Sequence, residues 1–304
     1  MAHQFKVGDR VVVRPYDQII SSLDKDGCTQ RLPFMPEMLQ FYGRSFTVRT
    51  IVNYVCVETT DIRAMTKTVV LDNLFCTGTA HDMCQKACTL LWKSDWLQPD
   101  VEPVAVETGD PNANSNLQWK NHLKTWDEGK QAYFCQSTNM RGASFALSFW
   151  GKLQYVIKEF LSGNSSIFTT IKKFAAFIRF KFSTGSMNAE CFTVKGNLQK
   201  TPLGKLGLQA GDMVEVKSIE EIAATLDEHG KNRGLLFTPE MHKFCGQKLK
   251  VLQRLENMIS EADGTMVKLT DTVILENVLC HGTCKFGCSR QLPHYWREIW
   301  LWKL

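Results

Sequence analysis

VGDRVVVRPYDQIISSLDKDG, residues 7–27, decides the fold because it occurs twice. Residues 210–230 read AGDMVEVKSIEEIAATLDEHG, and the register runs on without a gap. LPFMPEMLQFYGRSFTV (32–48) then faces LLFTPEMHKFCGQKLKV (235–251), with about 16 identities over about 40 positions. The match resumes with VVLDNLFC against VILENVLC and closes with KSDWL against REIWL. Self-similarity on this scale is the mark of a duplicated structural unit, so residues 1–98 and 206–304 are expected to share one fold.

Inside each copy the hydrophobic period is mostly two. Val11 and Val13, like Val214 and Val216, alternate with other residues directly after a Gly-Asp turn, which reads as a strand. Phe46 with Val48, Val69 with Leu71, and Trp96 mark later short strands. One short helix is expected from Tyr16 to Leu23, and its copy from Ile219 to Leu226, stopped by Gly27 and Gly230. Short strands and turns ending on a Trp-Leu strand suggest a small, partly open β-barrel.

Between the copies, residues 99–116 (PDVEPVAVETGDPNANSN) and 185–205 have linker composition. Residues 117–184 are aromatic and locally basic, with helical spacing over 152–161 and 167–180, and read as a helical insert. FTTIKKFAAFIRFKF (168–182) places Phe168, Ile171, Phe174, Ala175 and Ile178 on one helical stripe, flanked by Lys172, Lys173, Arg179 and Lys181. A stripe of this kind is expected to be core with solvated lysines at its edge. Peripheral membrane contact through 167–182 is the lesser reading, and nucleic acid is not an expected partner because neither repeat carries a dense Lys/Arg run.

Gly8-Asp9-Arg10-Val11, then Leu32-Pro33, Gly43, Leu91-Trp92 and Trp96-Leu97, resemble the SH3-like barrel of the nitrile hydratase β subunit. The resemblance covers each repeat and implies an α+β fold, mainly β, of two SH3-like barrels. The Cys-x-x-Cys-Ser-Cys metal loop of that enzyme's α subunit is absent, so nitrile hydration is not implied. The whole chain, including Phe134-Cys135-Gln136-Ser137-Thr138 and Asn232-Arg233-Gly234, resembles a family of uncharacterised bacterial proteins.

The composition is that of an ordinary globular protein, 44% hydrophobic and 22% charged, which excludes wholesale disorder. A formal net charge of +5 is too small to demand an anionic partner. No apolar run approaches the ~18 residues of a membrane span, and MAHQFKVGDR lacks the apolar core of a secretory signal, so a cytoplasmic location is expected. Gly-rich phosphate loops, HExxH helices, GxSxG elbows and paired-carboxylate motifs are missing, which disfavours the standard kinases, hydrolases and dehydrogenases.

Cysteine is the anomaly, at 11 of 304 residues. Disulfides rarely persist in the cytoplasm, so metal ligands or reactive thiols are expected. CTGTAHDMCQKAC (76–88) offers Cys76, His81, Cys84 and Cys88, and CHGTCKFGC (280–288) offers Cys280, His281, Cys284 and Cys288. Each triplet of thiols beside Gly-containing turns could wrap one cation. The fourth ligand is open: His81 or Cys56 in the first copy, Cys245 or His281 in the second. Such Cys/His sets suit about two zinc ions, and all-Cys sets equally suit a [4Fe–4S] cluster.

Cys135, in AYFCQSTNM, reads either as a strand-like core cysteine or as a nucleophilic or cluster thiol with His122 as a base. Cys28 and Cys191 read as incidental. The repeated Pro36-Glu37-Met38 and Pro239-Glu240-Met241 are explained as helix starts, with Glu favoured by the dipole, against a general-base reading. Two functions follow. One is a cytoplasmic metal-binding scaffold or partner-binding module; the other is a metal- or cluster-dependent enzyme working at an inter-barrel cleft near Cys135. A protein or small molecule at that cleft is the expected partner.

Overall fold

The computed structural model describes residues 4–57, 61–100, 123–147, 163, 194–282 and 288–304. The chain folds as two compact units. Unit 1 takes residues 1–171 together with 259–266 and 287–290, and unit 2 takes 172–258, 267–286 and 291–304. The second repeat thus gives two short segments to the first unit, an exchange that the alignment of the repeats does not anticipate.

In unit 1, β1 (Arg10–Val13) follows a turn in which Gly8 stands at φ +91° and the Asp9 carboxylate accepts the Lys6 amide, 2.7 Å. Only glycine adopts that backbone cheaply, which is why a Gly-Asp pair starts the strand. Helix α1 (Tyr16–Ser21) buries Ile19. The hairpin of β2 (Cys28–Thr29) and β3 (Leu32–Pro33) leads to a 3-10 turn, Pro36–Phe41. Then come β4 (Ser45–Ile51), β5 (Tyr54–Val57), β6 (Asp61–Ala64), β7 (Thr68–Phe75), β8 (Thr89–Lys93) and β9 (Leu97–Pro99). The main sheet has the order β8-β7-β4-β1-β9. Its inner face closes on Phe34, Trp92 and Trp96, all fully buried; Trp96 packs edge-on to Phe34 at 5.1 Å and donates its Nε1–H to the Thr29 hydroxyl, 2.9 Å.

Trp96 itself lies in a 3-10 turn, Ser94–Trp96, just before the strand it was expected to join. The described part of the insert, 123–147, is not helical. It forms β10 (Trp126–Asp127), β11 (Ala132–Tyr133) and β12 (Phe145–Ala146). The Asp127 carboxylate accepts the amides of Gly129 and Lys130, a local turn bond that competes with helix. β12 adds to β6 and β5 as a third strand. The stretches 152–161 and 167–182 lie outside the described residues.

Unit 2 repeats the pattern. After β13 (Met213–Val216) and α2 (Ile219–Ala223) come β14 (Lys231–Asn232), β15 (Leu235–Leu236), a 3-10 turn at Pro239–Phe244, and β16 (Lys248–Arg254). β17 (Asn257–Ile259), β18 (Met266–Lys268), β19 (Thr272–Leu279), β20 (Pro293–Arg297) and β21 (Leu301–Lys303) complete it. The sheet order β20-β19-β16-β13-β21 is that of unit 1 strand for strand. The registers agree too: Val11 faces Phe46 in one copy, and Val214 faces Leu249 in the other. Trp300 repeats the Trp96 arrangement, bonding the Thr225 hydroxyl at 3.0 Å. The duplicated, β-rich fold is therefore as expected, with two five-stranded sheets.

Candidate metal centres

Glu37 begins the first site. Pro36 starts the 3-10 turn, and Glu37 in its first turn is only 7% exposed. A carboxylate taken out of water needs a partner. Glu37 finds the Cys76 thiol, which donates to its Oε1 at 2.9 Å, while its Oε2 has no hydrogen bond among the described residues. Cys76 follows directly on β7, and its amide is pinned to the Cys88 carbonyl at 2.7 Å. His81, 2% exposed, enters from the loop that follows, and its Nε2 likewise has no hydrogen bond. The ligand atoms of Glu37, Cys76 and His81 lie within 4.8 Å of one another.

The loop is built under constraint. Asp82, Met83 and Ala87 all have positive φ, a conformation that costs about 1 kcal/mol or more per non-glycine residue. At Gly78, a Cβ would lie 1.9 Å from the Cys84 carbonyl oxygen, so the turn closes only on glycine. Burial pulls the His81 pKa down, against Glu37 and Asp82, which favours the neutral imidazole that binds metals. Burial and the Glu37 charge hold the Cys76 thiol well above its ordinary pKa. That proton leaves readily only when a cation replaces it.

Unit 2 carries the same chemistry at the same place. Glu240, 6% exposed in the second 3-10 turn, meets Cys280 after β19 and His294 on β20, again within 4.8 Å. His294 Nε2 is 3.7 Å from Glu240 Oε2 and makes no hydrogen bond. The glutamate and cysteine are repeat equivalents; the histidine is not, since position 294 pairs with Leu90 and His81 belongs to a loop. A carboxylate, a thiolate and an imidazole within this spacing fit zinc, which accepts O, S and N donors in a tetrahedron.

The remaining ligands expected from the sequence are sorted differently. Cys84 and Cys88 do not join Cys76 and His81 in that trio. Cys288 does not join Cys280, because residues 288–290 fold into unit 1: the Ser289 amide donates to the Tyr54 carbonyl (2.9 Å) and Arg290 to the Cys56 carbonyl (2.9 Å). His281 offers its backbone to the second site, its amide donating to Glu240 Oε2 at 2.7 Å. Cys245 packs against the second core and is absent from the Glu240 group. Cys284 and His122 lie outside the described residues.

Cys56, Cys84, Cys88, Cys135 and Cys288 instead gather in unit 1. Cys56 and Cys288 are 3.1 Å apart, sulfur to sulfur, and the Cys56 amide donates to the Cys288 sulfur at 3.1 Å. The Ile259 amide points at the Cys84 sulfur, 3.4 Å away. Cys88 lies within electrostatic reach of Cys84, Cys135, Lys86 and Arg290. Lys86 and Arg290 are both buried beside one carboxylate, Glu261, at 3.8 Å and 2.9 Å. The hydrogen bond from Cys288, against burial and helped by Arg290, brings the Cys56 thiol down to about 7, whereas burial pushes Cys88 up to about 11. Cys28 is a buried hairpin thiol, pushed up to about 12 by burial.

Glu37, Glu240 and His294 were not among the expected ligands. The first two had a signal, a glutamate at the same place in both repeats, but the helix-start explanation absorbed it. No family model, curated protein or solved structure matches the chain, so function rests on this geometry. No helix among the described residues is long and apolar enough to cross a membrane.

Proposed function

We propose that the protein is a zinc-binding scaffold or partner-binding module, made of tandem SH3-like barrels that each enclose a Glu–Cys–His metal site. The recurrence in both copies of a trio with buried Glu and His and a half-buried Cys supports this most directly: Glu37, Cys76, His81 and Glu240, Cys280, His294. Each ion would tie the 3-10 turn to the end of a long strand, so binding energy becomes folding energy. Buried atoms without a hydrogen bond among the described residues, Glu37 Oε2, His81 Nε2 and His294 Nε2, favour an ion over a packed core, because such atoms otherwise cost about 1–3 kcal/mol each. The cytoplasm, where zinc thiolate sites persist and disulfides do not, is the compartment that suits this chemistry.

A second reading has one observation behind it. Three protein ligands are one short of a closed tetrahedron, and an open fourth position is the arrangement of catalytic zinc. Cobalt substitution tests both. Metal-stripped protein given Co2+ should develop a thiolate-to-cobalt charge-transfer band that Cys76→Ser and Cys280→Ser each reduce by about half. Added azide leaves the band unchanged in a structural site and shifts it where the fourth position is open. Absence of any charge-transfer band would remove both readings.

A further inference from the structure

Five of the thiols of unit 1, Cys28 and Cys76 aside, outnumber what a single ion uses, and they lie beside buried positive charge. From this we infer that Cys56, Cys84, Cys88, Cys135 and Cys288 form a second centre, separate from Glu37–Cys76–His81, that binds an iron–sulfur cluster. The inference does not depend on the zinc reading.

Four observations carry it. First, Lys86 and Arg290 are both buried, and Glu261 is one carboxylate for two cations. Cations out of water call for anions beside them, and cluster-bound thiolates and sulfides supply negative charge. Second, backbone amides of Cys56 and Ile259 point at sulfur atoms, at 3.1 Å and 3.4 Å. Hydrogen bonds of this kind stabilise thiolate and set cluster potentials. Third, the thiols do not close into a tight trio. Among the described residues, the groups of three ligand atoms lying within 4.8 Å of one another are the two Glu–Cys–His trios, so the five thiols are not drawn around one small ion. Fourth, each thiol is held by its own element. Cys56 sits on β5, and Cys84 and Cys88 lie in the strained loop before β8. Cys135 heads a turn whose next residue, Gln136, bonds Leu91 in both directions, and Cys288 is anchored through Ser289.

A cubane needs four thiolates, and five are present. Cys56 and Cys288, at 3.1 Å, are too close to occupy two corners. One of them binds iron and the other donates its S–H to that sulfur, while Cys84, Cys88 and Cys135 take the other corners. Assembly takes up ferrous and ferric iron in equal amounts together with sulfide, and each of the four ligand thiols releases its proton to solvent. No oxidation of the protein is involved.

The test is anaerobic reconstitution of the full chain with equal amounts of ferrous and ferric iron and with sulfide. Wild type should gain broad absorbance near ~400 nm and about four iron and four sulfide per chain. Cys88→Ser and Cys135→Ser should lose at least about four-fifths of both, whereas Cys28→Ser should keep them. Far-UV circular dichroism reports whether the serine variants fold. Independently of any variant, alkylation followed by peptide mass spectrometry should find Cys84, Cys88 and Cys135 protected in the reconstituted protein and labelled after chelation. A colourless reconstituted protein, retention of the chromophore in Cys88→Ser and Cys135→Ser, zinc alone at these thiols, or a Cys56–Cys288 disulfide in freshly purified protein would each overturn the inference.

Discussion

Lys93 shows how closely this chain balances charge against burial. It closes β8, is fully buried, and its ammonium donates to Thr66 O (2.9 Å) and Gln30 Oε1 (3.1 Å). Burial lowers its pKa to about 8, with Asp95 pulling the other way. In the unfolded chain the group titrates near 10.5, so between about pH 8 and 10.5 the unfolded state binds more protons, and folding stability rises with pH there. Below about pH 8 the group is charged in both states and its contribution is flat. The full window is worth on the order of 3 kcal/mol. Chemical denaturation at pH 7.5 and pH 10 should show a smaller gain, or a larger loss, for Lys93→Met than for wild type. Equal pH dependence in the two proteins would mean that Lys93 is solvated.

The same scale explains what the sequence made legible and what it hid. Val11, Val13 and the Gly-Asp turns announce strands because a period of two has one physical reading. Glu37 has two readings at once. It is favourable in the first turn of Pro36–Phe41, and it also points inward to Cys76. Helix-start chemistry is a sufficient local explanation, so the second role shows only when the turn's inner face is placed in three dimensions. His294 has no repeat counterpart, since the partner position is Leu90, and no internal comparison could single it out.

At the level of elements, the loop from Cys76 to Cys88 carries the burden. It holds His81 in one direction and Cys84 and Cys88 in another, which a sequence triplet read as one ligand set cannot reveal. Its turn depends on Gly78, at φ +72° and in contact with the Cys84 backbone. Gly78→Ala should therefore force the loop open, lower stability by roughly 2–3 kcal/mol, and release metal from the first site. Thermal unfolding and metal content check this together, and unchanged values for both would show that the loop tolerates a different path. The second trio lies in the other unit, so the second site should keep its ion in that variant. The hairpin tip 259–266 and residues 287–290 illustrate the opposite lesson. Repeat alignment assigns them to the second copy, but the first segment bonds Cys84 and Tyr133, and the second bonds Tyr54 and Cys56. Covalent neighbourhood and packing neighbourhood differ there, and only the latter decides that Cys288 leaves Cys280.

Across the whole molecule, the two copies share the five-stranded sheet and the Glu–Cys pair, and differ in the histidine. The fold needs the Trp–Thr bonds and the sheet order, and both copies keep them. A metal site needs three donors at the right spacing, and a loop histidine or a strand histidine can complete it. His81→Ala and His294→Ala should each weaken zinc affinity at one site by at least about tenfold while leaving the other unchanged. The central claim, that each barrel encloses one Glu–Cys–His zinc site, is tested most directly by counting zinc per chain in wild type, Cys76→Ser, Cys280→Ser and the double variant. The account predicts about two equivalents, one, one and none. Zinc content that is the same in all four proteins would contradict it.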